Sequence, residues 1–168
     1  MSEPDHVGRI IVQWRTERPD LDMSPLGVIG RLHRLADRLD SELRVVFAEA
    51  GLTDGDFDVL ASLRRSGAPY ELTPGELGAT TMITSGAVTK RVDRLVAAGY
   101  VERNVCADDA RSRRIGLTDE GFRLVDALVV QHVANERRLL SGFSDRERSQ
   151  LARLLEAWGR ALDEAGTP

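Results

Sequence analysis

Cysteine is nearly absent from this 168-residue chain: Cys106 stands alone, which excludes an internal disulfide framework and any multi-cysteine metal site. The three histidines, His6, His33 and His132, lie far apart and have no ligand spacing of the HExxH kind. No Gly-rich phosphate loop and no GxSxG elbow occurs. An enzyme reading therefore has no nucleophile–base pair, metal cluster or cofactor motif to start from. Long hydrophobic runs are missing too. Uncharged stretches fall well short of the roughly 18–20 apolar residues that span a bilayer. The first residues, MSEPDHVGRIIVQW, carry early acids and no apolar block of signal-peptide type. The expectation is a cytoplasmic protein, not an enzyme, with no metal, cofactor or membrane partner. Lysine is the last scarcity, for of 23 lysines and arginines only Lys90 is a lysine. That imbalance reads as the codon bias of a GC-rich genome, since no physical rule requires arginine at every exposed site.

What is present is ordinary for a folded domain. Hydrophobic residues make up 42% and charged residues 30%, which excludes wholesale disorder. The length suits one domain with a real core and is short for two. A net charge of −4 argues at first against nucleic acid. Its distribution argues the other way. Between 73 and 118, seven basic residues (Lys90, Arg91, Arg94, Arg103, Arg111, Arg113, Arg114) face five acids (Glu76, Asp93, Glu102, Asp108, Asp109).

Periodicity predicts helices almost throughout. Val7, Ile10, Ile11 and Trp14 at i, i+3, i+4 and i+7 give an amphipathic helix over 4–18, closed by Arg18-Pro19. Ser24-Pro25 opens a second as cap and first helical residue, and Gly51 stops it. A third begins at Asp54 and ends near Ser66-Gly67-Ala68-Pro69. Thr73-Pro74-Gly75-Glu76 is a capping-box pattern for a very short helix, and Thr84-Ser85 starts another that stops at Gly99. Tyr100–Arg103 and Arg114–Leu117 read as two strands of a hairpin. Thr118-Asp119-Glu120-Gly121 begins a long helix to about Leu140, and Ser144-Asp145-Arg146-Glu147 is the capping box of a last one.

Two short helices followed at once by a basic two-stranded hairpin describe a winged helix-turn-helix. The second helix is narrow enough for a major groove, and its first turn would bring small polar groups to bases and phosphates. Those groups are Thr84, Ser85 and Gly86, with Thr89 and Lys90 one turn on and Arg94 beyond them. The hairpin would carry Arg111 and Arg113, two apart on one side of a strand, to the minor groove or backbone. Each feature taken singly is weak and suits a capped helix or a solvated turn better. Their order and spacing together favour double-stranded DNA.

The runs Leu72-Thr73-Pro74-Gly75-Glu76-Leu77, Thr84-Ser85-Gly86-Ala87-Val88-Thr89-Lys90-Arg91-Val92-Asp93-Arg94-Leu95 and Ala98-Gly99-Tyr100-Val101-Glu102-Arg103 carry a resemblance, continued by Asp109-Ala110-Arg111-Ser112 and Leu117-Thr118-Asp119-Glu120-Gly121. Over roughly 26–162 the chain resembles the MarR family of bacterial regulators. The resemblance implies a mainly α, winged helix-turn-helix fold with a two-stranded wing and a helical dimerisation region. Within a single domain over 1–168, the helices of 4–50 and 119–164 would form that region and 54–118 the DNA-binding lobe. It also implies a homodimer on a pseudo-palindromic operator, with half-sites about 10 bp apart. Ala110 departs from the pattern, standing where an arginine often precedes Arg111.

The N-terminal helix narrows the resemblance. Ile10-Ile11-Val12-Gln13-Trp14-Arg15-Thr16-Glu17-Arg18-Pro19-Asp20-Leu21, with Phe57-Asp58-Val59-Leu60 and Arg91, looks like the PecS or urate-responsive branch. That likeness implies ligand roles for Trp14, Asp58 and Arg91, and an acid–arginine coupling pair at Glu76 and Arg103, with Glu in place of Asp. Urate is a flat anion, so an indole face and a guanidinium fork are suitable partners, whereas a carboxylate beside it would be repelled. The implied protein is a repressor released by urate or a related purine. Plainer roles remain open: packing for Trp14, a helix N-terminal charge for Asp58, a phosphate contact for Arg91. So do three other functions: a regulator sensing another anionic or phenolic ligand, one sensing oxidation of Cys106, and a ligand-binding protein with no DNA role.

Overall fold

The computed structural model describes residues 3–82, 85–105 and 113–166, with only the backbone of 85–87 and 105. Thr84, Cys106 and Arg111, with the rest of the expected hairpin tip, lie outside the described residues. The chain divides into two compact units, Met1–Thr53 and Asp54–Pro168.

The first unit is a pair of helices, α1 (His6–Glu17) and α2 (Ser24–Ala48). Asp5 caps α1 by accepting the Gly8 N–H at 2.7 Å. Its carboxylate also takes Arg31 Nε at 2.9 Å and Nη2 at 2.8 Å, tying the start of α1 to α2. Both donors hold the Asp5 carboxyl below the ordinary range, Arg31 more than the backbone. Gly27 and Gly30 allow the close approach, since a Cβ on Gly30 would sit 3.3 Å from Val7 Cγ1. Ser24 does not cap α2 as its sequence suggests. Met23 holds the cap position without a side-chain bond, and the Ser24 N–H and hydroxyl both donate to Asp22, at 2.9 and 2.7 Å. Pro25 still falls in the first turn, where its missing N–H costs nothing.

The second unit contains α3 (Asp54–Arg65), β1 (Glu71–Leu72), α4 (Pro74–Thr80), α5 (Ser85–Ala97), β2 (Val101–Val105), β3 (Arg113–Leu117), α6 (Asp119–Leu139) and α7 (Asp145–Ala165). The strands form an antiparallel sheet in the order β1-β3-β2, with Leu72 opposite Ile115 and Arg103 opposite the same residue on the other side. β1 is an addition to the two strands expected. It is only two residues long and exists by its pairing with β3, so no local periodicity announces it.

Both capping boxes form as their patterns predict, Thr73 with Glu76 on α4 and Ser144 with Glu147 on α7. Gly99, at φ +79, ends α5: the Tyr100 N–H reaches the Leu95 carbonyl at 3.0 Å and the Gly99 N–H the Val96 carbonyl at 3.0 Å. That αL stop turns the chain directly into β2. Leu60, Leu63, Leu77, Leu95, Val101, Ile115 and Val125 are buried together as the core under α5 and the sheet. At the far end of α3 the Arg64 guanidinium stacks on Phe122 and Tyr70, 4.6 and 5.2 Å from their centroids, and bonds Asp126 at 2.7 Å. Helix α7 has no buried residue.

Candidate nucleic-acid interface

Helix α5 is amphipathic in the way a reading helix must be. Val88, Val92 and Leu95, at i, i+4 and i+7, are 5%, 1% and 1% exposed and turn one face into the core. Thr89, Lys90 and Asp93 lie on the exposed face. Ser85 and Gly86 open the helix, where unpaired N–H groups favour an anion such as phosphate. Arg113, exposed at the start of β3 opposite Val105, sits at the last described pair of strand residues before the hairpin tip.

Helix α3 braces this unit from beneath at several points. Asp58, its side chain 14% exposed, accepts the main-chain N–H of Met82 at 2.6 Å. Arg65 lies 3.9 Å from the same carboxylate and also donates to the Thr80 carbonyl, which Ser62 reaches at 3.4 Å. The end of α4 and the chain leading to α5 are thus clasped by three α3 side chains. The Arg91 guanidinium lies over Gly55, where a Cβ would run into it. Further along α5, Arg94 engages the fully buried carboxylate of Asp56 with both Nε and Nη2.

Glu76 and Arg103, expected as a pair, take separate partners. Glu76 accepts the Thr73 N–H at 2.8 Å and hydroxyl at 2.9 Å, and those two donors pull its carboxyl below the ordinary glutamate range. Arg103 on β2 bonds Asp93 on α5, which neutralises the one acid on the exposed face and ties the wing strand to the reading helix. Asp58 and Arg91 both lie where α3 meets the α4–α5 segment but have separate partners, Asp58 the Met82 N–H and Arg91 the space over Gly55. Trp14 is 47% exposed on α1 and lines a depression of about 300 Å³ with Gln13 and Glu17.

Asp56, Gly55 and Asp93 are the positioning residues that sequence reasoning passes over. Asp54-Gly55-Asp56-Phe57-Asp58 reads as a charged helix start, and nothing local separates the carboxylate that is buried from those that are not. Among the described residues no three His, Cys, Asp or Glu side chains gather as metal ligands, and no helix is long and apolar enough to cross a membrane.

Helix, turn, helix and wing in this order, with a cationic outer face, define a winged-helix DNA-binding protein. Comparison with known proteins makes the class specific. Residues 50–112 match the MarR family profile. The chain is 46% identical over 149 residues to the HTH-type transcriptional regulator PecS of Dickeya dadantii, covering 89% of this chain and 90% of that one. Wild-type MarR from Escherichia coli, in its apo crystal structure, superposes with a TM-score of 0.61 at 30% identity, over 77% of this chain and 94% of that one. BpsR of Bordetella bronchiseptica, whose DNA binding is described as regulated by 6-hydroxynicotinic acid, superposes with a TM-score of 0.69 at 23% identity, over 79% and 98%. The chain belongs to the MarR family of DNA-binding transcriptional regulators, in the PecS branch. Members of that family bind DNA and small-molecule ligands and act as dimers.

Proposed function

We propose that the protein is a homodimeric repressor that reads a pseudo-palindromic operator through α5 and the wing and is released by urate or a related purine. Thr84, Ser85, Gly86, Thr89, Lys90, Arg111 and Arg113 contact DNA in this reading, while Arg94, expected among them, is engaged by Asp56. Trp14, Asp58 and Arg91 answer the ligand. The helices of 4–50 and 119–164 supply the dimer contact. Support for that contact is the stripe Leu151, Leu154, Leu155 and Leu162 on α7, which the single chain leaves 37–61% exposed.

One observation carries the switch: the Asp58 carboxylate holds the Met82 N–H at 2.6 Å, directly before α5. A flat anion placed near Asp58 and Arg91 would attract the guanidinium and repel the carboxylate. Either movement loosens the turn that sets the register of α5. A coupling of about 1–3 kcal/mol between ligand and DNA is enough for regulation.

The test is fluorescence anisotropy on a labelled duplex that the protein selects from a random-sequence pool. Urate is titrated at fixed salt, with xanthine and 6-hydroxynicotinate as comparisons. Release by urate in the micromolar to low-millimolar range supports the purine reading, and Asp58→Asn should then blunt it. Release by 6-hydroxynicotinate and not by urate would favour a second reading, a sensor of other aromatic anions, which the likeness to BpsR motivates.

A further inference from the structure

We infer that Arg94 is a positioning residue of the reading helix, acting through the buried carboxylate of Asp56, and that it is not a phosphate contact. This rests on the reading that α5 docks on DNA. Three features of the structure carry it. The Asp56 side chain is fully buried on α3, so its charge is tolerated only with a close cationic partner. Arg94 meets it in a two-donor arrangement through Nε and Nη2, a geometry that fixes direction as well as distance. Arg94 lies about two and a half turns into α5, whereas the Met82 N–H that Asp58 holds lies before the helix begins, so α3 grips the reading helix toward its far end as well as at its approach. A guanidinium committed in this way sets the tilt of α5. Lys90, exposed one turn earlier, has no such commitment and is the phosphate contact.

The two roles separate in a salt titration. Each phosphate neutralised contributes about 0.9 to the slope of log affinity against log salt, whatever the DNA sequence. Tilt changes discrimination between sequences and leaves that slope alone. The measurement is anisotropy at several salt concentrations on two labelled duplexes, the one selected from a random pool and a scrambled copy. Arg94→Ala and Asp56→Asn should each lower the preference for the selected duplex on the order of 10-fold, the loss that goes with one misaligned base contact. Both should keep the wild-type slope. Arg94→Lys should recover part of the preference, because it returns the charge without the fork.

Lys90→Ala is the control, with a slope lower by about 0.9 on both duplexes. An Arg94→Ala protein that loses the same slope, or one that binds both duplexes as wild type does, overturns the inference. A silent Lys90→Ala would instead overturn the docking of α5, and the inference with it. Should Arg94→Ala fail to fold by circular dichroism, the double variant Asp56→Asn with Arg94→Met removes both charges together and leaves no buried carboxylate unpaired. It is read in the same way.

Discussion

Helices α5 and α7 carry the same kind of apolar stripe, and its fate differs. In α5, Val88, Val92 and Leu95 are almost wholly buried against α3, α4 and the sheet. In α7, Leu151, Leu154, Leu155 and Leu162 stay substantially exposed, and no residue of the helix is buried. One stripe is satisfied within the chain. The other is an apolar surface of the kind that subunit contacts cover. An amphipathic pattern announces a helix with a buried face but does not say whose atoms will bury it, and the two helices have to be tested differently.

The largest effect belongs on the internally finished side. Gly121, in the first turn of α6, packs so closely on the Tyr100 carbonyl that a Cβ there would overlap it. That carbonyl also accepts the Thr118 N–H at 3.2 Å, so neither backbone can move freely. Gly121→Ala should cost about 3 kcal/mol in urea unfolding, toward the upper end for overpacking. A change under 1 kcal/mol would mean that the α5–β2 corner is softer than its contacts imply.

The next effect lies on the other side of the comparison. If α7 is a subunit surface, Leu154→Glu with Leu155→Glu should weaken self-association on the order of 100-fold, the range of central interface positions. Sedimentation would report the monomer. Circular dichroism should still report a folded lobe, because neither side chain is part of its buried core. A dimer that persists at micromolar concentration would remove α7 from the interface and sever the stripe from the proposal.

A smaller change sharpens the contrast inside the lobe. Gly55→Ala meets the guanidinium of the Arg91 side chain first, and alanine is the better helix residue by about 0.5–1 kcal/mol. Stability should therefore stay within about 1 kcal/mol of wild type. The urate concentration that releases DNA should shift roughly 5-fold or more, the lower edge of a useful coupling. An unchanged release curve would return Arg91 to packing.

What could be read from the sequence follows the same line between local and distant causes. The capping boxes at Thr73 and Ser144, the αL stop at Gly99 and the inward face of α5 are each written within a few consecutive residues, and all of them form. β1 is not, because Glu71 and Leu72 become a strand only by meeting Gly116 and Ile115 across the chain. The same limit hides the roles of the α3 carboxylates. Asp56 and Asp58 differ by what α5 and its approach bring to them, Arg94 to one and the Met82 N–H to the other. Arg103 was legible as a basic wing residue, and its partner Asp93, ten positions away, was not.

The smallest effect uses a device common to both regions. Glu76 in the lobe and Glu147 on α7 each accept an N–H and a hydroxyl from their cap residue, and both carboxyls are held below the ordinary range by those bonds. A carboxyl lowered on folding adds stability at pH above its unfolded value, roughly 4.3 for glutamate, and that contribution is lost as pH falls through the lower, folded value. Glutamine keeps an acceptor for the cap but cannot ionise. The melting temperature of Glu76→Gln should accordingly lie slightly below wild type at pH 6 and approach it as acid protonates the native glutamate. Glu147→Gln should behave in the same way. A difference that stays constant from pH 6 to pH 3 would place the contribution in shape and not in charge. Because both groups face solvent, the two gaps should be small and should shrink further in salt. If the gap is wider at Glu76, the box matters more to a seven-residue helix inside a packed lobe than to a twenty-one-residue helix with no fully buried residue.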